Sequence, residues 1–365
     1  MAAPDPSDDP WARVVGQDRA VEQLQRAVDR PVHAYLFVGL PGAGMEEAAQ
    51  AFAASLVGAE GDRVARGRHP DVVEFEPEGV EYRVAEVREQ IIPEITAAPV
   101  ESSRKVVILH EVERLNEPSA NALLKSLEEP PDWTHLVLLT ANAEELLETV
   151  RSRCLRVEFT AVPVAIIADV LRARGVDADR AAACARAAGG RLDRAIALAG
   201  PLAPLRDAFR IAIGRLDGTG RRAAELAGDL GVALDAAVAA AQAEQATELE
   251  ELDAEIATVG YSARVAQAMR KRLTERHKRR ARRARVAALL EGFAAIEASY
   301  RDTLASVPEA PAVAPRSAVA ALDRLRHARE AVLRNASEGL LLEHLLLHLP
   351  ASGAGIEALA GSRAR

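Results

Sequence analysis

The chain has 365 residues, of which 49% are hydrophobic, 27% are charged and only 3% are aromatic, and its formal net charge is −8. This length favours two or three domains, and the composition is that of a soluble globular protein. The acidic balance argues against a chain that coats nucleic acid through bulk charge, and the scarcity of aromatic residues excludes a surface built mainly on base stacking.

The two cysteines, Cys154 and Cys184, exclude a disulfide framework and a multi-cysteine metal cage, so no metal site is expected. Residues 1–10 are rich in Pro and Asp and lack an apolar core, which predicts a disordered tail rather than a signal peptide. No apolar run approaches the ~18 residues that a membrane-spanning helix requires. These features predict a cytoplasmic protein with no membrane partner.

A buried strand is predicted over residues 34–38, and an alanine-rich helix follows it after a glycine-rich turn. The turn has the spacing of a phosphate-binding loop. Its glycines are Gly39, Gly42 and Gly44. Met45 stands where such a loop carries its phosphate-binding lysine, and Glu46 where it carries the hydroxyl that holds magnesium. A carboxylate ~4 Å from a phosphate charge costs on the order of 4 kcal/mol at an effective dielectric of 20, so we expect no tight triphosphate binding.

Residues 104–154 are predicted to form the centre of a parallel α/β sheet. Apolar runs over residues 105–109 and 135–140 are bounded by turn residues and separated by a helical pattern, which is typical of buried strands joined by a crossover helix. In such sheets the functional side chains follow the carboxyl ends of the strands. The residues at these positions are His110, Glu111 and residues 140–142.

The order of these features resembles the AAA+ module of bacterial sliding-clamp loaders. The resemblance is most specific at two motifs, NALLKSLEEPP over residues 121–131 and Ser-Arg-Cys over residues 152–154, and it covers the chain nearly end to end. It implies an α/β AAA+ domain over residues 11–160, with a parallel sheet and flanking helices. It also implies a helical lid over residues 161–200 and a helical collar for oligomerisation over residues 201–365.

The resemblance also indicates which catalytic groups this chain lacks. In the family, an acidic pair after the central strand supplies one carboxylate for magnesium and one that polarises the attacking water. Here the pair is His110 and Glu111, and imidazole is a poor ligand for magnesium. Together with Met45 and Glu46, this substitution predicts an inactive ATPase site without a cofactor of its own, ATP being bound by partner subunits. The family's four-cysteine zinc module is also missing, since residues 57–69 contain no cysteine.

Ser152 and Arg153 belong to a motif that, in the family, projects its arginine into the ATP site of the neighbouring subunit. A guanidinium there stabilises transition-state charge, an effect worth roughly 10³ to 10⁵ in rate for arginine fingers generally. The alternative is an arginine that closes a strand with an ordinary ion pair. An intact motif beside a degraded site favours the finger, and Cys154 is expected to serve packing.

Three further positions allow two readings each. Residues 14–17 correspond to a turn that lies against the adenine in the family, or they cap a helix through a glycine hinge. The family's sensor arginine falls near residues 191–194, where Arg194 is equally consistent with a surface residue. His69 is expected to be a structural turn residue rather than a metal ligand, because no second ligand lies near it.

The last third of the chain is predicted to be helical, with six acidic residues over 244–255 and eleven basic residues against one acid over 264–285. One narrow seam on the basic helix is formed by Val265, Met269, Leu273, His277 and Ala281. The basic run is solvated, or pairs with the acidic stretch, or forms a surface that tracks the phosphates of primed DNA. The residues expected to contact DNA in the last case are Arg272, Arg276, Arg279 and Arg283. A Pro/Ala linker is predicted over residues 307–315, and Asn335 at the turn between the last two helices.

The function implied is that of a non-hydrolysing stator of a clamp loader, which is part of a DNA polymerase holoenzyme. Its expected partners are motor and clamp-opening subunits in a five-membered ring, the sliding clamp and primed DNA. It would supply Arg153 in trans to a neighbouring ATPase subunit and help load the clamp during replication. Two alternatives stay open, a DNA-binding scaffold with inert AAA+ architecture and an active motor subunit.

Overall fold

The computed structural model describes residues 9–77, 79–305, 313–334 and 336–350. Most of the predicted tail, the predicted linker as far as residue 312 and the turn at Asn335 lie outside these residues. The tail prediction is wrong at its last two residues, because Asp9 caps a short 3-10 helix that begins at Pro10. The linker prediction is wrong beyond residue 312, where a helix starts.

Within the described residues the chain forms two compact units. One lies within Met1–Ile196 and Glu251–Leu273, and the other within Ala197–Glu250 and Thr274–Arg365. No helix in these parts of the chain combines the length and apolar composition that a bilayer crossing requires.

The first unit is built on a five-stranded parallel sheet in the order β2-β3-β4-β1-β5. The strands are β1 Ala34–Val38, β2 Val72–Phe75, β3 Lys105–Leu109, β4 Thr134–Thr140 and β5 Leu155–Glu158. β1, β3 and β4 are buried along their whole lengths, as their uninterrupted apolar runs require. The predicted parallel α/β sheet is confirmed.

The strand register determines which loops meet. Val38 at the end of β1 lies opposite Thr140 of β4, while Leu109 at the end of β3 lies opposite Phe75 and Leu138. Because the strands are parallel, the residues that follow β1, β3 and β4 lie at one edge of the sheet. The glycine-rich loop and His110 therefore share that edge.

Helices cover both faces of this sheet, with separate apolar cores that include Phe37 and Phe52 on one side and Leu36 and Leu123 on the other. The first of these helices are α1 Asp18–Val28, α2 Met45–Val57, α3 Gly61–Ala65 and α4 Val84–Glu86, which continues through the π-helical Val87–Ile91 into α5 Ile92–Thr96. The later ones are α6 Glu117–Glu128 and α7 Glu148–Arg151. After β5 the chain continues with α8 Val164–Ala173, α9 Ala178–Ala188 and α10 Leu192–Ala199.

The second unit is largely helical, as predicted. Its helices are α11 Leu202–Gly214, α12 Gly220–Val259, α13 Ala263–Ala305, α14 Val313–Leu333 and α15 Glu338–His348, of which α12 and α13 also contribute residues to the first unit. The rings of Phe209 and Phe293 meet edge to face at 6.2 Å in its core. Gly292 makes room for them, because a Cβ at this position would lie 2.6 Å from the Phe209 ring. A mid-helix glycine costs about 1 kcal/mol relative to alanine, so this packing offsets a real penalty.

Residues 251–273 belong with the first unit because their charged side chains have partners there. Glu251 forms a bidentate pair with Arg66 at 3.0 and 2.8 Å. Glu255 binds Arg63 at 2.5 Å, and Arg272 pairs with a carboxylate of α5. Part of the acidic stretch over 244–255 is therefore neutralised by arginines near residue 65, a pairing that sequence spacing did not indicate.

Substituting Val107 tests the contribution of the buried sheet. Val107→Ala removes two buried carbons from β3 and leaves a cavity, so we expect the unfolding free energy of the first unit to fall by about 2–3 kcal/mol. Urea unfolding followed by tryptophan fluorescence measures this, because the chain's two tryptophans, Trp11 and Trp133, both lie in the first unit. The matched control is Val80→Ala, since Val80 is 70% exposed. Equal midpoints for the two variants would contradict the assignment of Val107 to the core.

Candidate functional site

The loop after β1 retains the backbone of a phosphate-binding loop. Gly42 and Gly44 adopt φ values of +76° and +102°, in the left-handed region that favours glycine. Gly39 lies close to Phe159, the residue after β5, and a Cβ added to this glycine would come 2.5 Å from the Cβ of Phe159. The predicted loop geometry is therefore present, and Gly44 forms the N-cap of α2.

The side chains that bind phosphate and magnesium in such a loop are replaced here by other residues. Met45 is buried and belongs to the core that contains Phe52, so this position supports the fold and carries no charge. Glu46 and Glu47 occupy the first turn of α2. Burial raises the pKa of Glu47; the backbone and Arg13 lower it, but the nearby charges of Glu46 and Asp193 raise it further. The amino end of α2 therefore presents carboxylates where a phosphate would need cations.

The segment that leads into α10 adds a further carboxylate to the loop. The backbone N–H of Leu192 donates to the carbonyl of Gly42 at 2.8 Å. The Asp193 carboxylate lies against Gly42 so closely that a Cβ added to this glycine would overlap it. Arg191 and the backbone N–H of Arg194 both bind that carboxylate, at 3.1 and 2.6 Å. Among the side chains of residues 191–194, that of Asp193 therefore lies against the loop.

His110 is buried at the end of β3, where its Nε2 lies 3.1 Å from a carboxylate oxygen of Glu74. Burial by itself lowers the pKa of His110, but the hydrogen bond with Glu74 and the charges of Glu46, Glu74 and Glu76 raise it above its ordinary value. Nε2 of His110 is therefore engaged with the Glu74 carboxylate in this structure.

Glu111, the remaining member of the acidic pair, has a left-handed backbone with φ +50°. It is the only residue other than glycine with this conformation in the described parts of the chain, and such a conformation costs of order 1–3 kcal/mol. Its carboxylate lies 2.8 Å from Nε of Arg114. The carboxylate that would polarise a water in the family is thus engaged in an ion pair.

Gln17 is a structural residue of this site that sequence analysis did not single out. Its buried side-chain amide donates to the carbonyls of Ala43 and Thr160 at 2.7 Å each, and its oxygen accepts from the N–H of Thr160 at 3.1 Å. Gly16 precedes it with φ +70°. Gly16 thus forms the turn before α1, but Gln17 at the N-cap makes no side-chain bond to that helix, and the adenine contact of residues 14–17 stays a prediction.

Arg153 lies near the end of the first unit's sheet with its side chain one-third exposed. Its Nε donates to Oε1 of Glu128 at 2.9 Å, Nη2 donates to the same oxygen, and Nη1 donates to the carbonyl of Thr149 at 2.8 Å. Nη1 also lies 3.4 Å from Oγ of the exposed Ser152. Burial raises the pKa of Cys154 to about 12, so this thiol serves packing and not chemistry.

The four arginines expected to contact DNA are all partly buried on α13. Arg272 binds Glu94 and the carbonyl of Pro70, and the other three also take part in interactions within the chain. The predicted seam is confirmed at Met269, Leu273 and His277, which are buried.

The predicted pairing of the basic run with the acidic stretch is also observed. Glu248 binds His277 at 2.7 Å and Arg280 at 3.3 Å, and Asp253 binds Arg270 at 2.6 Å. The DNA contacts of Arg272, Arg276, Arg279 and Arg283 stay a prediction.

His69 has the surroundings of a structural residue. Its Nδ1 accepts from the backbone N–H of Asp71 at 3.1 Å. Burial and the charge of Arg63 lower its pKa, although Glu101 and Asp71 oppose this. Among the residues that the structure describes, no group of three or more His, Cys, Asp or Glu side chains is arranged to hold a metal ion.

Comparison with known proteins finds relatives that are similar to part of the first unit. Residues 16–163 match the family model described as DNA polymerase III, delta subunit. DNA polymerase III subunit delta' of Bacillus subtilis is 33% identical over 168 residues, 42% of this chain and 51% of the relative. The delta' subunit of Pseudomonas aeruginosa is 40% identical over 138 residues, 34% of this chain and 42% of the relative. Residues within 16–163 are therefore similar to the delta and delta' subunits of DNA polymerase III.

The chain spans about half the length of the Bacillus subtilis relative. Among relatives with other names, DNA polymerase III subunit tau of Escherichia coli is 32% identical over 168 residues, 42% of this chain and 26% of the relative. The crystal structure of a DNA polymerase III gamma-subunit-related protein of Thermotoga maritima aligns with 91% of this chain and 99% of its own, at 20% identity and a TM-score of 0.43.

The pairing of His110 predicts a specific pH dependence of stability for this chain. A raised pKa in the folded state means that His110 stabilises the fold below its unfolded value of about 6.5 and that this contribution is lost as the pH rises through the higher folded value. We therefore expect the stability difference between wild type and His110→Gln to shrink from pH 6 to pH 9. Thermal unfolding followed by tryptophan fluorescence measures it.

The surface substitution His33→Gln is the matched control and should leave the pH profile unchanged. A His110 ring that titrates below its ordinary value, as observed by NMR, would contradict the interpretation.

Proposed function

We propose that this chain is the non-hydrolysing, delta'-like stator of a DNA polymerase III clamp loader, which supplies Arg153 in trans to the ATP site of a neighbouring subunit. The observation that carries the proposal is the contrast within one unit between a phosphate loop surrounded by carboxylates and an intact Ser-Arg-Cys motif whose arginine is partly exposed. A loop that lacks its lysine and carries carboxylates is poorly suited to its own nucleotide, whereas the partly exposed Arg153 is available to a neighbour's.

The loop disfavours a triphosphate by repulsion as well as by missing groups. Glu46, Glu47 and Asp193 surround its glycines, and each carboxylate within ~4 Å of a phosphate charge costs on the order of 4 kcal/mol at an effective dielectric of 20. His110 lies at the same edge of the sheet, and its Nε2 already contacts Glu74 at 3.1 Å. The active-motor alternative requires a lysine and a magnesium carboxylate at these positions, which makes it the weaker reading.

Arg153 can take part in a second interaction at little cost. Its partner Glu128 is about half exposed, and exposed ion pairs contribute only about 0–1 kcal/mol to stability. A guanidinium that binds a γ-phosphate in a water-excluded site gains considerably more, because its planar N–H groups match the phosphate oxygens. The geometry is therefore compatible with transfer of Arg153 to a neighbour's nucleotide.

The proposed assembly follows from the family and from the helical second unit. We propose that this unit is the collar through which the chain joins motor and clamp-opening subunits in a five-membered ring, and that the ring loads the sliding clamp onto primed DNA in the cytoplasm. The domain limits at residues 160 and 200 belong to the same proposal. The DNA-binding scaffold has less support, because the arginines that it requires are partly buried and engaged within the chain.

The isolated chain is expected to show no ATP hydrolysis, because the loop lacks its lysine and His110 replaces the magnesium carboxylate. Steady-state phosphate release from the purified chain with ATP and magnesium measures this. A contaminating ATPase would be unaffected by Glu111→Gln. Turnover that this substitution abolishes would show that the site is active, and the proposal would fail.

Replacing Arg153 tests the finger directly. Arg153→Ala should leave the first unit folded, because it removes an exposed ion pair, and should leave the ring assembled. Hydrolysis at the neighbouring motor site should fall by roughly 10³, and clamp loading should fall with it. Arg153→Lys should rescue poorly, since an ammonium lacks the planar fork of a guanidinium. The measurement is ATPase activity of the reconstituted ring with clamp and primed DNA.

The matched control is Arg156→Ala. Arg156 is half exposed and, like Arg153, pairs with a glutamate of the same chain, here Glu158. A ring that contains this variant should hydrolyse ATP at the same rate as a wild-type ring. Unchanged hydrolysis in an assembled Arg153→Ala ring would reduce the motif to a structural turn.

A further inference from the structure

We infer that Glu128 is a positioning residue for Arg153, which orders the guanidinium before it meets the neighbour's nucleotide. The inference rests on the proposed trans-acting role of Arg153. Glu128 itself would touch neither ATP nor the transferred phosphate.

The contacts place Glu128 along one edge of the guanidinium. Its Oε1 accepts from Nε at 2.9 Å and also from Nη2. The carbonyl of Thr149 accepts from Nη1 at 2.8 Å. Two elements of the fold therefore hold the group from different sides, and its orientation is fixed by more than one bond.

The support behind Glu128 is rigid. Glu128 is the last residue of α6, a helix whose start is capped by Asn116, which accepts from the N–H of Ser119 at 3.1 Å. Leu123 and Leu127 on the same helix are fully buried in the core of the first unit. A carboxylate carried by such a helix can fix a neighbouring side chain more closely than one on a loop can.

Ordering matters here because an arginine side chain has many rotamers. A free arginine loses that freedom when it engages a phosphate, and a partner that orders it beforehand removes this loss from the reaction. A carboxylate that binds Nε and one terminal nitrogen also leaves other N–H groups of the guanidinium for a second acceptor, since arginine has five donors. The bonds seen here are therefore compatible with simultaneous binding of phosphate oxygens.

The opposite role for Glu128 would be a latch that withholds Arg153. An exposed ion pair shifts an equilibrium by no more than about fivefold, and the pair has exposed fractions of 33% and 47%. A latch of this strength would hardly restrain an arginine that is attracted by a triphosphate. The two roles predict opposite signs, because loss of a latch would accelerate hydrolysis and loss of a positioning residue slows it.

The test is a double-mutant cycle in the reconstituted ring with ATP, clamp and primed DNA. Glu128→Ala should lower kcat at the neighbouring site about fivefold while the KM for ATP changes less than twofold, because positioning acts in the transition state. Glu128→Gln keeps an acceptor oxygen and should lose only about threefold. In the Arg153→Ala background, Glu128→Ala should have no further effect, since its action passes through Arg153.

The matched control is Glu129→Ala, which removes the same charge from the adjacent exposed residue. It should behave as wild type, and ring assembly should be equal for all variants by gel filtration. If Arg153→Ala lowers hydrolysis and Glu128→Ala does not, the positioning role is wrong and the finger stands. If Glu128→Ala raises hydrolysis, Glu128 is a latch. If Arg153→Ala has no effect, the proposed function itself fails.

Discussion

Charge at the carboxyl edge of the parallel sheet governs what this chain can do with a nucleotide. The strand register places the glycine-rich loop and His110 at the same edge, so a triphosphate bound there would meet the side chains that follow β1 and β3. Those side chains are mainly carboxylates, and the imidazole among them is bound to Glu74. Partial burial strengthens each repulsion. The loop consequently keeps its shape while it lacks the charges that would make the shape useful.

The fold tolerates this loss because the loop is supported by groups other than a ligand. Gly42 and Gly44 provide the required backbone angles, and Gln17 binds the carbonyl of Ala43. Met45 even adds apolar packing to the core at a position where a lysine would have to remain solvated. The groups that support the loop backbone are thus different from those that would bind a nucleotide.

Much of the fold could be predicted because it depends on local pattern. Continuous apolar runs identified β1, β3 and β4, glycine spacing identified the phosphate loop, and a four-residue period identified the seam that includes Leu273. The features that were missed depend on pairs far apart in the chain. Asp193 reaches Gly42, and Glu255 reaches Arg63, without any periodicity that would reveal the partner. The same limit applies to the DNA-contact hypothesis, since spacing alone does not tell which face of α13 is covered.

The contact between the start of α10 and the phosphate loop has a consequence for cooperativity. In a protein that responds to ATP, the nucleotide binds one arrangement of this joint more tightly than another, and that difference is its coupling free energy. Here the joint is closed by the chain's own groups, through the bond from Leu192 to Gly42 and the Asp193 carboxylate. A nucleotide shifts the populations of such a joint only if it binds one arrangement more tightly than the other. Here the closed arrangement needs no nucleotide, because the contacts that hold it come from the chain itself.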